Sequence, residues 1–208
     1  MGEASTQTKD PTSIRLLGNR YRLLDLFGAG GMGSVYRAFD QLTGETVALK
    51  RVVGSALQPL ASPELRLALA HEFQALASLR HPNIIAVRDY GFDQTQQPYF
   101  TMELLPQARS LVNAGQWLPV DGKIDLLAQL LSALVYIHRR AIVHRDLKPG
   151  NVLLVGHEVK VLDFGLATLA DQNLPSSGTL AYMAPEVVRG EPASRAADLY
   201  AVGVIAYE

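Results

Sequence analysis

Apolar and polar positions alternate through Tyr21–Phe27, Ser34–Asp40 and Thr46–Val52, with a glycine cluster after the first run and Leu42-Thr-Gly-Glu45 after the second. Period-two alternation marks half-buried strands, so this stretch predicts strand, glycine loop, strand, turn, strand. The spacing then changes. Leu65, Leu69, Phe73, Leu76 and Leu79 recur at three- and four-residue steps with Glu64, Arg66 and Glu72 between them, which predicts an amphipathic helix over residues 63–79. His81-Pro82 ends it, because the residue before a proline is driven out of the helical region. Two further β-like runs, Ile84–Tyr90 and Tyr99–Leu105, complete a small sheet with one helix.

Beyond a loop-like stretch from Pro106 to Pro119, the residues Ile124, Leu127, Leu131, Leu134 and Ile137 mark a long helix closing on Arg139-Arg140, whose charge suits the negative end of the helix dipole. Leu199–Tyr207 reads as a buried helix, far short of the roughly 20 apolar residues that span a bilayer. Glu208 falls inside that apolar pattern with no closing glycine, proline or basic turn, so the last helix is expected to be cut short. Residues 1–18 are polar and aperiodic, a flexible leader without a secretory signal, which predicts a cytoplasmic protein. The expected architecture is α+β over residues 19–208: a β-rich N-lobe at about 19–104 and a helix-rich, incomplete C-lobe at about 105–208.

Composition narrows the function classes. With 208 residues, 48% hydrophobic and 19% charged, the chain is an ordinary globular protein able to bury a core. A formal charge of -1 supplies no basic field for a nucleic-acid backbone. The absence of cysteine removes disulfides, thiolate zinc sites and a cysteine nucleophile together.

Three clusters carry candidate chemistry. Gly28-x-Gly30-x-x-Gly33 fits a dinucleotide site only if the glycines open a helix, but the residues after Gly33 continue as a strand. It is no Walker loop either, since Ser34-Val35 follows where Lys-Ser or Lys-Thr is required. A glycine hairpin of this kind can lie over a polyphosphate and offer backbone N–H groups. Lys50 in Val47-Ala-Leu-Lys50 is a surface lysine unless a phosphate and a carboxylate meet it, and Glu72 is the candidate carboxylate. His71-Glu72 is not a zinc-protease motif, because Ala75 stands where the second histidine belongs. His144-Arg-Asp146-x-Lys148-x-x-Asn151 and Asp163-Phe-Gly165 place charged groups beside apolar runs, costly to bury without partners. Asn151 and Asp163 are hard oxygen ligands suited to Mg²⁺, and Asp146 can accept a hydroxyl proton.

The ordered set of these motifs, with Val35 after the glycines and Ala184-Pro-Glu186 near the end, resembles the eukaryotic-type protein kinase family over about Tyr21–Glu208. His81-Pro-Asn-Ile and Gly178-Thr-Leu-Ala-Tyr-Met-Ala-Pro-Glu186 are similar to bacterial serine/threonine kinases. The resemblance implies a two-lobed fold and ATP- and Mg²⁺-dependent phosphoryl transfer to serine or threonine hydroxyls of protein substrates, as in a non-specific serine/threonine protein kinase. By the resemblance, Lys50 holds the α- and β-phosphates, oriented by Glu72; Asp163 and Asn151 hold Mg²⁺; Asp146 orients or deprotonates the acceptor; and Lys148 steadies the γ-phosphate. The nucleotide is implied to lie against Phe27, Gly28, Ala29, Gly30, Gly31, Met32, Gly33, Ser34, Val35, Ala48 and Leu153, with the backbone of Glu103 and Leu105 on the adenine edge and Met102 as gatekeeper. Leu76, His144 and Phe164 are implied to stack above Asp198, which anchors the catalytic loop.

The resemblance also implies phosphorylation of Thr168, Ser176 or Ser177 read by Arg145, contact of Thr179 with the catalytic loop, and a downstream partner for a buried Glu186. A non-catalytic ATP-binding module of the same fold is the alternative, and a small-molecule phosphotransferase would not need the Gly178–Glu186 segment.

Overall fold

The computed structural model describes residues 16–30, 33–52, 73–163 and 180–208. The N-lobe strands are β1 (Leu16–Leu17), β2 (Tyr21–Gly30), β3 (Gly33–Asp40), β4 (Thr46–Arg51), β5 (Val87–Phe92) and β6 (Pro98–Met102), with helical residues 73–77 (α1) between β4 and β5. They form one antiparallel sheet in the order β1-β2-β3-β4-β6-β5. Side chains tie the outer strand β5 to the other end of the sheet: Tyr21 Oη on β2 donates to Asp89 Oδ2 at 2.9 Å, and Arg20, between β1 and β2, bridges Asp89 at 2.6 Å and Asp40 of β3 at 2.7 Å. The sheet is therefore curled, with Tyr21, Leu49 and Tyr99 packed inside the curl.

The C-lobe carries β7 (Arg109–Ser110), α2 (Leu111–Gly115), α3 (Val120–His138), a 3-10 turn at Pro149–Asn151, β8 (Val152–Val155), β9 (Glu158–Val161), α4 (Pro185–Val188) and α5 (Arg195–Tyr207). β7, β8 and β9 form a second small sheet. One apolar cluster runs from Ala48 and Met102 through Leu130 and Ile137 to Val202 and Ile205, so the two lobes share a core.

Several sequence expectations shift. The leader gives way to structure before residue 18: Leu17 is buried and β1 pairs with β2. Residues 84–86 do not extend β5, because Ile84 bridges Val161 in parallel and Ile85 N–H donates to Val161 O at 3.0 Å. Similarly, β6 ends at Met102 instead of Leu105. The stretch 106–119 is not all loop, since Ser110 Oγ caps α2 by accepting from Asn113 N–H at 3.3 Å.

Phe73, Leu76 and Leu79 are buried as the helical spacing requires, while the earlier part of that expected helix lies outside the described residues. The long helix forms, but on α3 it is Leu126, Leu130, Ala133, Leu134 and Ile137 that are buried, with Ile124 and Leu131 exposed. Glu186 is part-exposed, not buried, in the first turn of α4 where a carboxylate suits the dipole. Among the described residues of α5, Leu199, Tyr200 and Tyr207 face outward.

Candidate active site

The glycine cluster is the tip of the β2–β3 hairpin: Gly28 pairs with Val35, Ala29 with Ser34, and Gly30 with Gly33. Gly31 and Met32 lie outside the described residues. Gly33 has φ 127°, and a Cβ there would stand 1.9 Å from the carbonyl oxygen of Arg51, whereas a Cβ on Gly28 meets nothing within 4 Å. Gly33→Ala is therefore expected to cost at least about 2 kcal/mol through backbone strain and a hard clash. Gly28→Ala should cost less than about 1 kcal/mol. Thermal unfolding of the two variants checks the contrast, and equal losses would refute it.

β4 runs beside β3 and β6, with Lys50 opposite Val35 on one side and Phe100 on the other. This holds a 6%-exposed ammonium on the inner part of the sheet, where it must find an anion. It does so across the lobes: Lys50 Nζ donates to Asp163 Oδ2 at 2.5 Å. Glu72, the expected partner of Lys50, lies outside the described residues.

Asp163 stands two residues beyond the end of β9 and takes φ 58°, a left-handed conformation that aspartate tolerates better than most residues. Leu162 N–H donates to Asn151 O at 2.9 Å, so the backbone before Asp163 is tied to the turn that carries Asn151. Asn151 Nδ2 donates to Asp146 O at 2.8 Å and to Asp146 Oδ2 at 2.9 Å. Lys148 Nζ lies 2.8 Å from Asp146 Oδ2. Lys50 thus meets Asp163, Asn151 and Lys148 meet Asp146, and the backbone bond from Leu162 to Asn151 ties the two groups together.

The donor set suits a magnesium ion. Asp163 Oδ1 is buried with no hydrogen-bond partner among the described residues, an expensive state for a carboxylate oxygen unless a cation takes it. Both side-chain bonds of Asn151 run through its Nδ2, which leaves the amide oxygen as an acceptor. Two oxygen donors fit a metal that keeps waters and phosphate oxygens as its other ligands.

The loop bearing Asp146 hangs from one carboxylate. Asp198, 2% exposed in the first turn of α5, accepts His144 N–H on Oδ2 and Arg145 N–H on Oδ1, each at 2.9 Å. His138 Nε2 lies 2.8 Å from Asp198 Oδ2. These bonds hold Arg145 at φ 71°, a conformation it would not adopt unsupported.

His144 is fully buried, with Asp146 N–H donating to its Nδ1 at 3.3 Å and its Nε2 facing Leu162 O at 2.8 Å. Burial holds its pKa below the usual histidine value, and burial acts on His81 in the same direction. The folded chain then binds fewer protons than the unfolded chain as pH falls through about 6.5, so stability is present above that value and is lost below it. A melting temperature that falls between pH 7.5 and 5.5 is the expected result. A flat profile over that window would count against it.

Toward the expected adenine side, Ala48 pairs with Met102 across the ladder, and Val35 and Leu105 pack on the same apolar cluster. Leu153 is half-buried on β8 and lies outside that cluster. Glu103 N–H donates to Ala86 O at 3.1 Å and its Oε1 accepts from Ala86 N–H at 3.2 Å, which pins the segment that follows β6. Phe27, Gly28 and Ala29 are exposed, and Ser34 is half-buried. Leu76 and His144 are both buried; Phe164, Thr168, Ser176, Ser177 and Thr179 lie outside the described residues. Sequence reasoning missed His138, whose only signal was its place at the end of a helix.

The protein kinase domain family matches residues 21–208. The chain belongs to this family. Serine/threonine-protein kinase A of Synechocystis is 38% identical over 97% of this chain and 42% of its own length. Serine/threonine-protein kinase PknA of Mycobacterium tuberculosis is 38% identical over 92% of this chain and 47% of its own length. A probable serine/threonine-protein kinase of Streptomyces coelicolor is 37% identical over 93% of this chain and 30% of its own length. The chain thus spans less than half the length of these relatives. Its fold is that of the Mycobacterium tuberculosis PknI kinase domain, with a TM-score of 0.71 at 29% identity over 95% of this chain and 76% of the other.

Proposed function

We propose that this kinase-family chain transfers the terminal phosphoryl group of ATP to serine or threonine hydroxyls of protein substrates. The observation that carries the reading is the Lys50–Asp163 contact, which joins a cation from the N-lobe sheet to the carboxylate that follows β9, beside the Asp146–Asn151–Lys148 cluster. The relatives named as serine/threonine kinases support the choice of acceptor.

Phosphoryl transfer asks the protein to position reactants and neutralise charge, with little covalent chemistry of its own. Backbone N–H groups of the Gly28–Gly33 hairpin cover the phosphates, and Lys50 offers its ammonium to the α- and β-oxygens. Asn151 and Asp163 are the residues that would hold magnesium, which would neutralise charge on the phosphate oxygens. Asp146 accepts the proton of the attacking hydroxyl on its carboxylate, and Lys148 holds the γ-phosphate beside it. Val35, Ala48 and Leu153 enclose adenine, and the backbone of Glu103 and Leu105 reads its edge. No helix among the described residues is long and apolar enough to cross a membrane. The reading places the activity in the cytoplasm.

The test is transfer of labelled phosphate from ATP to a serine- and threonine-containing peptide library by the intact protein. Lys50→Met is expected to lower kcat/KM by about 10²–10³-fold, since it removes a fixed positive charge from the phosphates. Binding of Mg²⁺ and ATP with no transfer by the wild type would favour the non-catalytic alternative and end this reading.

A further inference from the structure

α3 turns a row of polar side chains toward the loop that joins α1 to β5. Gln129, Ser132 and Tyr136 are three and four residues apart, which puts them on one helical face. They meet the loop in antiparallel order. Gln129 Oε1 accepts from Asn83 Nδ2 at 2.9 Å, Ser132 Oγ lies 3.3 Å from His81 Nε2, and Tyr136 Oη accepts Arg80 N–H at 2.9 Å. One turn on, the Arg140 guanidinium covers the Tyr136 ring at 3.7 Å. Gln129 is committed at both ends of its amide: Oε1 also accepts Val159 N–H at 2.9 Å and Nε2 donates to His157 O at 3.0 Å.

The other side of the same loop holds the strand that delivers Asp163. Asn83 O accepts Val161 N–H at 2.9 Å, and Ile85 N–H donates to Val161 O at 3.0 Å. Asn83 Nδ2 makes a second bond, to Val159 O at 3.1 Å. Both backbone polar groups of Val161 are therefore committed to residues 83–85, two positions before the carboxylate that meets Lys50. Connecting loops ordinarily move more than the elements they join. Here the loop is fixed by α3 on one side and fixes β9 on the other.

We infer that the polar row Gln129–Ser132–Tyr136 is a positioning device for Asp163, setting the height of β9 by two routes: through loop 80–85, and directly through the Gln129 bonds to Val159 N–H and His157 O. The inference rests on the proposed role of Asp163 in holding magnesium. None of the three side chains has to touch a reactant. Their effect reaches one carboxylate through the hydrogen bonds that hold Val159 and Val161, so it should fall on nucleotide binding and spare the peptide.

The test uses Gln129→Leu in the intact protein. Amide hydrogen exchange at Val161 and Leu162 is expected to quicken by about tenfold or more. Half-saturating Mg·ATP is expected to rise about fivefold, with half-saturating peptide and kcat held within about twofold. Tyr136→Phe, which deletes only the hydroxyl that accepts Arg80 N–H, should shift both quantities in the same direction by less, and it carries the test if Gln129→Leu does not fold. Unchanged exchange at Val161 and Leu162 in the folded variants, or equal changes in the nucleotide and peptide constants, would overturn the inference. Exchange needs no turnover, so a wild type without phosphoryl transfer sinks the proposed function and not this link, while unchanged exchange in an active protein sinks the link and not the function.

Discussion

Asp146→Asn is expected to reduce phosphoryl transfer by about 10³-fold, within the range lost when a positioned general base is removed. Asp146 is 6% exposed, and its carboxylate receives Asn151 Nδ2 at 2.9 Å and Lys148 Nζ at 2.8 Å. Both contacts end on Oδ2 and Lys148 Nζ also reaches Oδ1 at 3.1 Å, so an amide that keeps its oxygen at the Oδ2 position turns its NH₂ group toward the Lys148 ammonium. It can neither take the hydroxyl proton nor balance the Lys148 charge. The cost to stability should stay near the 1–2 kcal/mol of a mismatched hydrogen bond, so the variant remains folded and the loss is chemical. Turnover at saturating Mg·ATP and peptide, measured beside the thermal melt, checks this. A kcat within tenfold of wild type would remove Asp146 from the role given to it.

Asp198→Ala should be the most damaging single substitution for stability. The carboxylate accepts two backbone N–H groups, from His144 and Arg145, and meets His138 Nε2. Removing it strands the buried N–H of His144 and the part-buried N–H of Arg145, at about 1–3 kcal/mol each. The sum approaches the 5–15 kcal/mol that holds a typical domain together. Denaturant unfolding is expected to show a loss of about 3–6 kcal/mol, with Asp198→Asn intermediate because it keeps one acceptor oxygen. A loss under about 1 kcal/mol would mean that the loop is held from elsewhere.

The sequence was most informative where a residue type is tied to one job. The strand character after Gly33 identified the glycine cluster as a hairpin, and the register Gly30 to Gly33 agrees. Phe73, Leu76 and Leu79 were spaced for burial and are buried. Periodicity gave less on α3, which is apolar on more than one face. Spacing alone does not say whether Leu130 or Leu131 turns inward, a choice made by β9 and α5 packing against the helix. Long-range polar partners were the least legible. Nothing near Gln129 in the chain marks it as the partner of Asn83, 46 residues away, and the pairing exists only once α3 and loop 80–85 have met. The Lys50–Asp163 contact, across 113 residues, was beyond the reach of local pattern for the same reason.

The joint that Arg20, Asp40 and Tyr21 make with Asp89 on the outer strand β5 has a consequence for solubility. An open six-stranded sheet would present unpaired amides to any passing chain and invite it to add a strand. Margins folded toward one another offer no such template. Among the described residues the bonds that close this seam run through side chains, so it can part without unzipping a ladder, and parting it would leave the β5 edge open to an added strand.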